Sequence, residues 1–77
     1  MNNIFIKMRI AILIEISDGY SRTNYNTVDK FFEFDDDEET LVIKIMKKYP
    51  GIGIISDCID NVVYDKVNEK KYLIVSC

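Results

Sequence analysis

From residue 4 onward the even positions read Ile4, Ile6, Met8, Ile10, Ile12, Ile14 and Ile16, and the odd ones Phe5, Lys7, Arg9, Ala11, Leu13, Glu15 and Ser17. Strict alternation of this kind is the signature of a β-strand with one buried face, because successive side chains of a strand point to opposite sides. A helix would scatter the same isoleucines around its axis, so the chain must build a sheet. At about 3.3 Å per residue a strand over residues 4–16 spans roughly 43 Å, which is long for a small sheet. A bend or bulge near Ala11 is therefore expected.

Asp18-Gly19 then opens a polar connection through Tyr20, Ser21, Arg22, Thr23, Asn24, Tyr25 and Asn26, after which Val28, Lys30, Phe32 and Phe34 alternate with Asp29, Phe31 and Glu33. This predicts a second strand joined to the first by a long hairpin loop. Leu41, Val42, Ile45, Met46 and Tyr49 follow at the spacing of one helical face. Acids before this face and Lys44, Lys47 and Lys48 at its back suit the helix dipole, and Asp36 with Glu39 fits a variant of the capping box. Pro50-Gly51 ends the helix. Residues 52–55 and 62–67 read as extended and residues 72–75 as a last strand, with Asn68, Glu69 and Lys70 turning between them. Ile55, Ile59, Val62 and Val63 also fit a helical face, but Asp57, Asp60 and Asn61 are poor helix-interior residues and favour strand.

With 77 residues the chain forms one domain over residues 1–77, and a domain of this size has only a thin core. The order strand, strand, helix, strand, strand predicts an α+β fold, ββαββ, in which a mainly antiparallel four-stranded sheet carries the helix on one face. With the helix as a right-handed crossover from the second strand to the third and the first strand between them, the expected sheet order is 4-3-1-2. The all-isoleucine face of the first strand should then pack on Leu41, Val42, Ile45 and Met46, leaving Lys7, Arg9 and Glu15 nearer water. Ile12, Ile14, Phe32, Leu41 and Ile45 are the expected core.

The chemistry is mostly absent from the chain. It has no His, the commonest general base and metal ligand, and Cys58 and Cys77 alone make neither a zinc site nor a disulfide framework. They read as free thiols. Gly51-Ile52-Gly53 follows a helix and leads toward a strand, the reverse of a phosphate-binding loop, so these are turn glycines. The acidic run lacks the ligand spacing of a calcium loop. No catalytic, cofactor-binding or metal-binding residue is assigned, and the expectation is a chain that is not an enzyme and carries no cofactor. The first apolar stretch is interrupted by Lys7, Arg9 and Glu15 and fits neither a secretory signal nor a membrane span, which places the expected location in the cytoplasm.

Charge is the sharpest functional signal. Between Asp29 and Glu39 seven acids face Lys30 alone, a local charge of minus six in a chain of net charge minus three, so the remainder carries plus three. The plain explanation is helix capping, but the dipole benefit decays within one turn and Asp35, Asp36, Asp37, Glu38 and Glu39 exceed what it requires. Such a field can steer a basic partner. Tyr20, Arg22 and Tyr25 add residue types that dominate interface hot spots, against the plain reading of tyrosines folded over a sheet edge. These eight residues are the expected partner-binding set.

The function expected is a protein-interaction module, in its specific form a small acidic inhibitor of a basic nucleic-acid-handling protein. The analogy is with the inhibitors that phages and mobile elements encode, anti-CRISPR proteins among them. Direct nucleic-acid and membrane binding are not expected. The alternatives are an immunity protein or antitoxin neutralising a nuclease, a small enzyme subunit, or a structural subunit that pairs with a second copy through a sheet edge or the open sheet face.

Overall fold

The computed structural model describes residues 8–53 and 60–76. In chain order they form β1 (Met8–Asp18), β2 (Thr23–Phe34), α1 (Leu41–Lys48), a 3-10 turn at Pro50–Ile52, β3 (Asn61–Asp65) and β4 (Lys70–Ser76). All strands pair antiparallel in one sheet with α1 on one face, the expected small α+β fold. The two cysteines, the start of the expected first strand and most of the ambiguous stretch lie outside the described residues, while Asn61, Val62 and Val63 of that stretch are strand.

Neighbouring strands run β2-β1-β4-β3. The interior place of β1 beside β2 is as expected, but β4 rather than β3 lies on its other side. The handedness rule used to place β3 applies to parallel strands. Here β2 and β3 run in opposite directions, so that rule does not constrain them. Burial decides instead: β4 carries Tyr72, Leu73, Ile74 and Val75 and fills the interior, whereas β3 with Asn61 and Asp65 forms the edge.

The β1–β2 hairpin is tighter and longer than its polar composition implied. Strand β2 begins at Thr23, so the connection shrinks to a turn in which the Gly19 N–H donates to the Arg22 carbonyl at 2.8 Å. The expected irregularity near Ala11 is displaced. Leu13 pairs with Asp29 and Ile14 with Thr27, which leaves Val28 as an extra residue on β2.

The largest correction concerns which face of the sheet is inside. The buried apolar residues are Ala11, Leu13, Phe31, Leu41, Ile45, Tyr72 and Ile74, joined by the half-buried Val42, Met46, Tyr49, Ile52 and Val63. On β1 this is the odd phase. Ile12 and Ile14 are half-buried on the opposite face, and Phe32 is 42% exposed. Leu41 and Ile45 alone of the expected five are fully buried.

The reason lies in the polar residues of the odd phase, which serve the helix rather than water. The Leu41 N–H at the start of α1 donates to Glu33 Oε1 at 2.7 Å, and Arg9 sits 3.7 Å from the same carboxylate. Beyond the other end of α1, Asp29 accepts from the Tyr49 hydroxyl at 3.0 Å and pairs with Lys48 at 2.6 Å. A helix of eight residues leaves most of its terminal N–H and C=O groups unpaired, so a short helix needs such partners close by. Tyr49 also packs edge-on against Phe31 and Tyr72, with centroids 6.2 and 5.8 Å away.

A second buried polar device holds the β3–β4 turn. Asp65 is fully buried, with Oδ1 accepting from the Val67 and Asn68 N–H groups at 2.9 and 3.1 Å and Oδ2 from the Asn68 side chain at 2.8 Å. Gly51 makes room for it: a Cβ there would lie 1.9 Å from Asp65 Oδ1. Gly51 is therefore a close-approach glycine, while Gly53, at φ 79° and ψ −152°, holds a backbone conformation that glycine alone adopts readily.

Candidate functional site

The acidic run does not enter the helix. Thr40 is the N-cap, its hydroxyl accepting from the Ile43 N–H at 3.3 Å, and the first turn of α1 contains no acid. The expected capping box of Asp36 and Glu39 is thus replaced by Thr40, a preferred cap residue, with Glu33 reaching in from β2. Residues 35–39 form the connection between β2 and α1.

Within that connection the acids divide into two groups. Asp37 Oδ2 accepts from the Phe34 N–H at 2.9 Å and from Lys44 Nζ at 2.7 Å, and these bonds hold its carboxyl below the usual carboxylate range. Lys44 Nζ also donates to the Phe32 carbonyl at 2.5 Å, and Glu39 pairs with Lys47. Asp35, Asp36 and Glu38 make no ion pair among the described residues, so they retain the field that the sequence implied. Asp36, Asp37, Glu38, Glu39, Lys44 and Lys47 line a shallow concavity open to solvent.

Asp29, the first acid of the charged stretch, is structural. Burial pushes its carboxyl up, but hydrogen bonds from Lys48, the Lys30 N–H and Tyr49 outweigh it and leave its pKa lowered. The Tyr49 phenol is pushed up to about 12 by burial and by the Asp29 carboxylate it donates to. The pair therefore stays as a neutral phenol on a charged carboxylate at neutral pH.

The aromatic set is divided by the fold. Tyr20 and Arg22 occupy the tip of the β1–β2 hairpin, both exposed. Tyr25 lies within β2 opposite Ile16, on the sheet face away from the helix. The acidic turn is at the other end of the hairpin, where Met8 pairs with Phe34. Strand geometry therefore separates the eight expected residues into two groups about 30 Å apart or more.

An open sheet face was expected to carry Arg9 and Glu15, whereas the face opposite α1 is the isoleucine one. Met8, Ile10, Ile12, Ile14 and Ile16 run down its middle, flanked on one side by Phe32 and Phe34 and on the other by Leu73 and Val75, with Val62 and Tyr64 beyond. Val62 and Tyr64 are 55% and 54% exposed. The signal was present in the register of the apolar phases: both phases of β1 carry apolar residues through its middle, as expected for a strand covered on both sides.

Among the described residues no group of three or more Cys, Asp or Glu is placed to hold a metal ion, and no helix is long and apolar enough to cross a membrane. No protein-family model, curated protein or solved structure matches the chain.

Proposed function

We propose that this chain is a non-enzymatic protein-interaction module. The observation that carries this reading is the apolar sheet face opposite α1. Single exposed apolar residues are ordinary, but a contiguous face of isoleucine, phenylalanine, leucine and valine is the mark of an interaction surface. The ionisable groups support it from the other direction: Glu33, Asp29, Asp37 and Asp65 are each engaged in holding backbone or side-chain donors of the fold.

The acids left over give the partner its chemistry. Asp35, Asp36 and Glu38 project a negative field from one end of the hairpin, which favours a basic protein by charge steering. In its finer form the module is a small acidic inhibitor of a nucleic-acid-handling protein, of the anti-CRISPR or phage-encoded kind, acting in the cytoplasm. Neutralisation of a nuclease by an immunity protein or antitoxin uses the same surface chemistry. Tyr20 and Arg22 at the opposite tip supply a further contact in either case.

The test is capture of partners from the native host by the wild-type chain and by an Asp35→Asn, Asp36→Asn, Glu38→Gln variant, followed by association kinetics of each captured protein at several salt concentrations. The proposal expects basic partners whose association slows at least tenfold in the variant and with salt, with dissociation little changed. Association rates indifferent to both would remove the acidic turn from the interface.

A further inference from the structure

We infer that the apolar sheet face opposite α1 binds a second copy of this chain, so that the working molecule is a homodimer of two sheets packed face to face. The inference rests on the reading of that face as an interaction surface and names its occupant.

Size is the first argument. Residues 8–16 of β1 run about 27 Å with β2 alongside, β4 joins from Ala11 onward and β3 only over its five residues, the strands lying about 4.8 Å apart. The flat area is therefore roughly 450 Å² per copy, and two copies together hide roughly 900 Å², at the lower limit of about 1,000 Å² for a specific interface.

Chemistry is the second. The middle of the face, Ile12, Ile14, Leu73 and Val75, is uncharged, and its charged residues Lys30 and Lys71 stand on the edge strand β2 and at the end of β4. A partner chosen by charge finds nothing to recognise there. An identical apolar face is self-complementary under a two-fold axis, and aligned sheets at about −30° interdigitate such side chains into a core about 10 Å thick. The negative charge sits on the β2–α1 turn, outside the face, so two chains of like charge meet through neutral surfaces.

Core size is the third. On the helix side only seven apolar residues are buried among the described residues. Domains this small commonly need oligomerisation or another staple to reach ordinary stability. A second copy is present wherever the chain is made, whereas another protein leaves the face bare until it is met. Pairing through the β2 edge is disfavoured by the extra residue Val28 and by Lys30, devices that blunt an edge.

The test is the mass of the full chain by light scattering after size exclusion, with Phe32→Glu and Val62→Glu as face variants and Ile43→Glu, exposed on α1, as control. The inference expects twice the 9.0 kDa chain mass for wild type and control, and at least a hundredfold weaker association for both face variants with their circular dichroism retained. Should the variants unfold, isotope-filtered contacts between isoleucine methyls of labelled and unlabelled wild-type chains read the same interface directly. A dimer that survives both folded variants and shows no such contacts would overturn the inference. A wild-type monomer whose face binds a hydrophobic dye overturns the second copy and leaves the interaction module standing. A monomer that binds no dye overturns both.

Discussion

Replacing Leu13 by Ala tests which phase of β1 is the core. Leu13 is fully buried between Asp29 of β2 and Ile74 of β4, and its side chain points toward α1. The substitution removes the transfer energy of the lost methyl groups and leaves a cavity, about 3 kcal/mol in a site that collapses only partly. The whole domain is worth on the order of 4 to 11 kcal/mol. At about 4 to 8 °C per kcal/mol for a domain of this size, Tm should fall by about 12 to 24 °C. Ile14→Ala, its neighbour on the open face, should cost about 1 kcal/mol in a Phe32→Glu background that removes association. In the wild-type background the cost of Ile14→Ala should grow with protein concentration, because association then stabilises the folded chain. Thermal unfolding followed by circular dichroism reads all of these. A Leu13→Ala variant that melts within about 5 °C of its parent, with Ile14→Ala the more damaging at the lowest concentration, would falsify the assignment of the core to the odd phase.

Gly51→Ala should lower stability by about 1 to 3 kcal/mol, because the new Cβ meets the buried Asp65 carboxylate and the Val67 backbone; denaturant titration with unchanged m checks it. In alkali the raised Tyr49 pKa means that the unfolded chain loses its proton first. Stability should therefore be full below about pH 10 and fall between about pH 10 and 12, by on the order of 1 to 2 kcal/mol after solvent screening. Tyr49→Phe should flatten that decline in a pH series of melts. In acid the lowered pKa values of Asp29 and Asp65 act in the opposite sense: stability is present above the ordinary carboxylate value of 3.8 and is lost as pH falls through the folded values. The Asp35→Asn, Asp36→Asn, Glu38→Gln variant should be within about 0.5 kcal/mol of wild type in stability, since these acids make no ion pair among the described residues; a larger loss would return them to a structural role.

Local pattern alone was sufficient for the type of the four strands and of α1, whereas Ile52, read as extended, lies in the 3-10 turn. Alternation in β1, the one-three-one-three spacing from Leu41 to Tyr49 and the Pro50-Gly51 stop are properties of neighbouring residues, and the fold class follows from their order. The acidic excess was legible for the same reason, because charge is counted along the chain. What the tertiary structure decided was which acids keep their charge free. Glu33, Asp29 and Asp37 are spent on donors that lie 8, 20 and 7 residues away, and no spacing rule announces such pairs.

The inside of the sheet was decided in the same way. Hydrophobicity ranks the isoleucine phase of β1 above the phase with Arg9, Ala11, Leu13 and Glu15, so sequence alone points to the wrong face. A helix of two turns chooses by fit rather than by apolar content. It sits where Ala11 is small, where Glu33 receives its first N–H, and where Asp29 receives Lys48 and Tyr49. Ala11 stands on β1 and Glu33 and Asp29 on β2, so the pairing of those two strands sets them side by side. The isoleucine phase was expected under α1, and the structure leaves Ile10, Ile12, Ile14 and Ile16 half-buried on the opposite face, because the helix follows its polar partners.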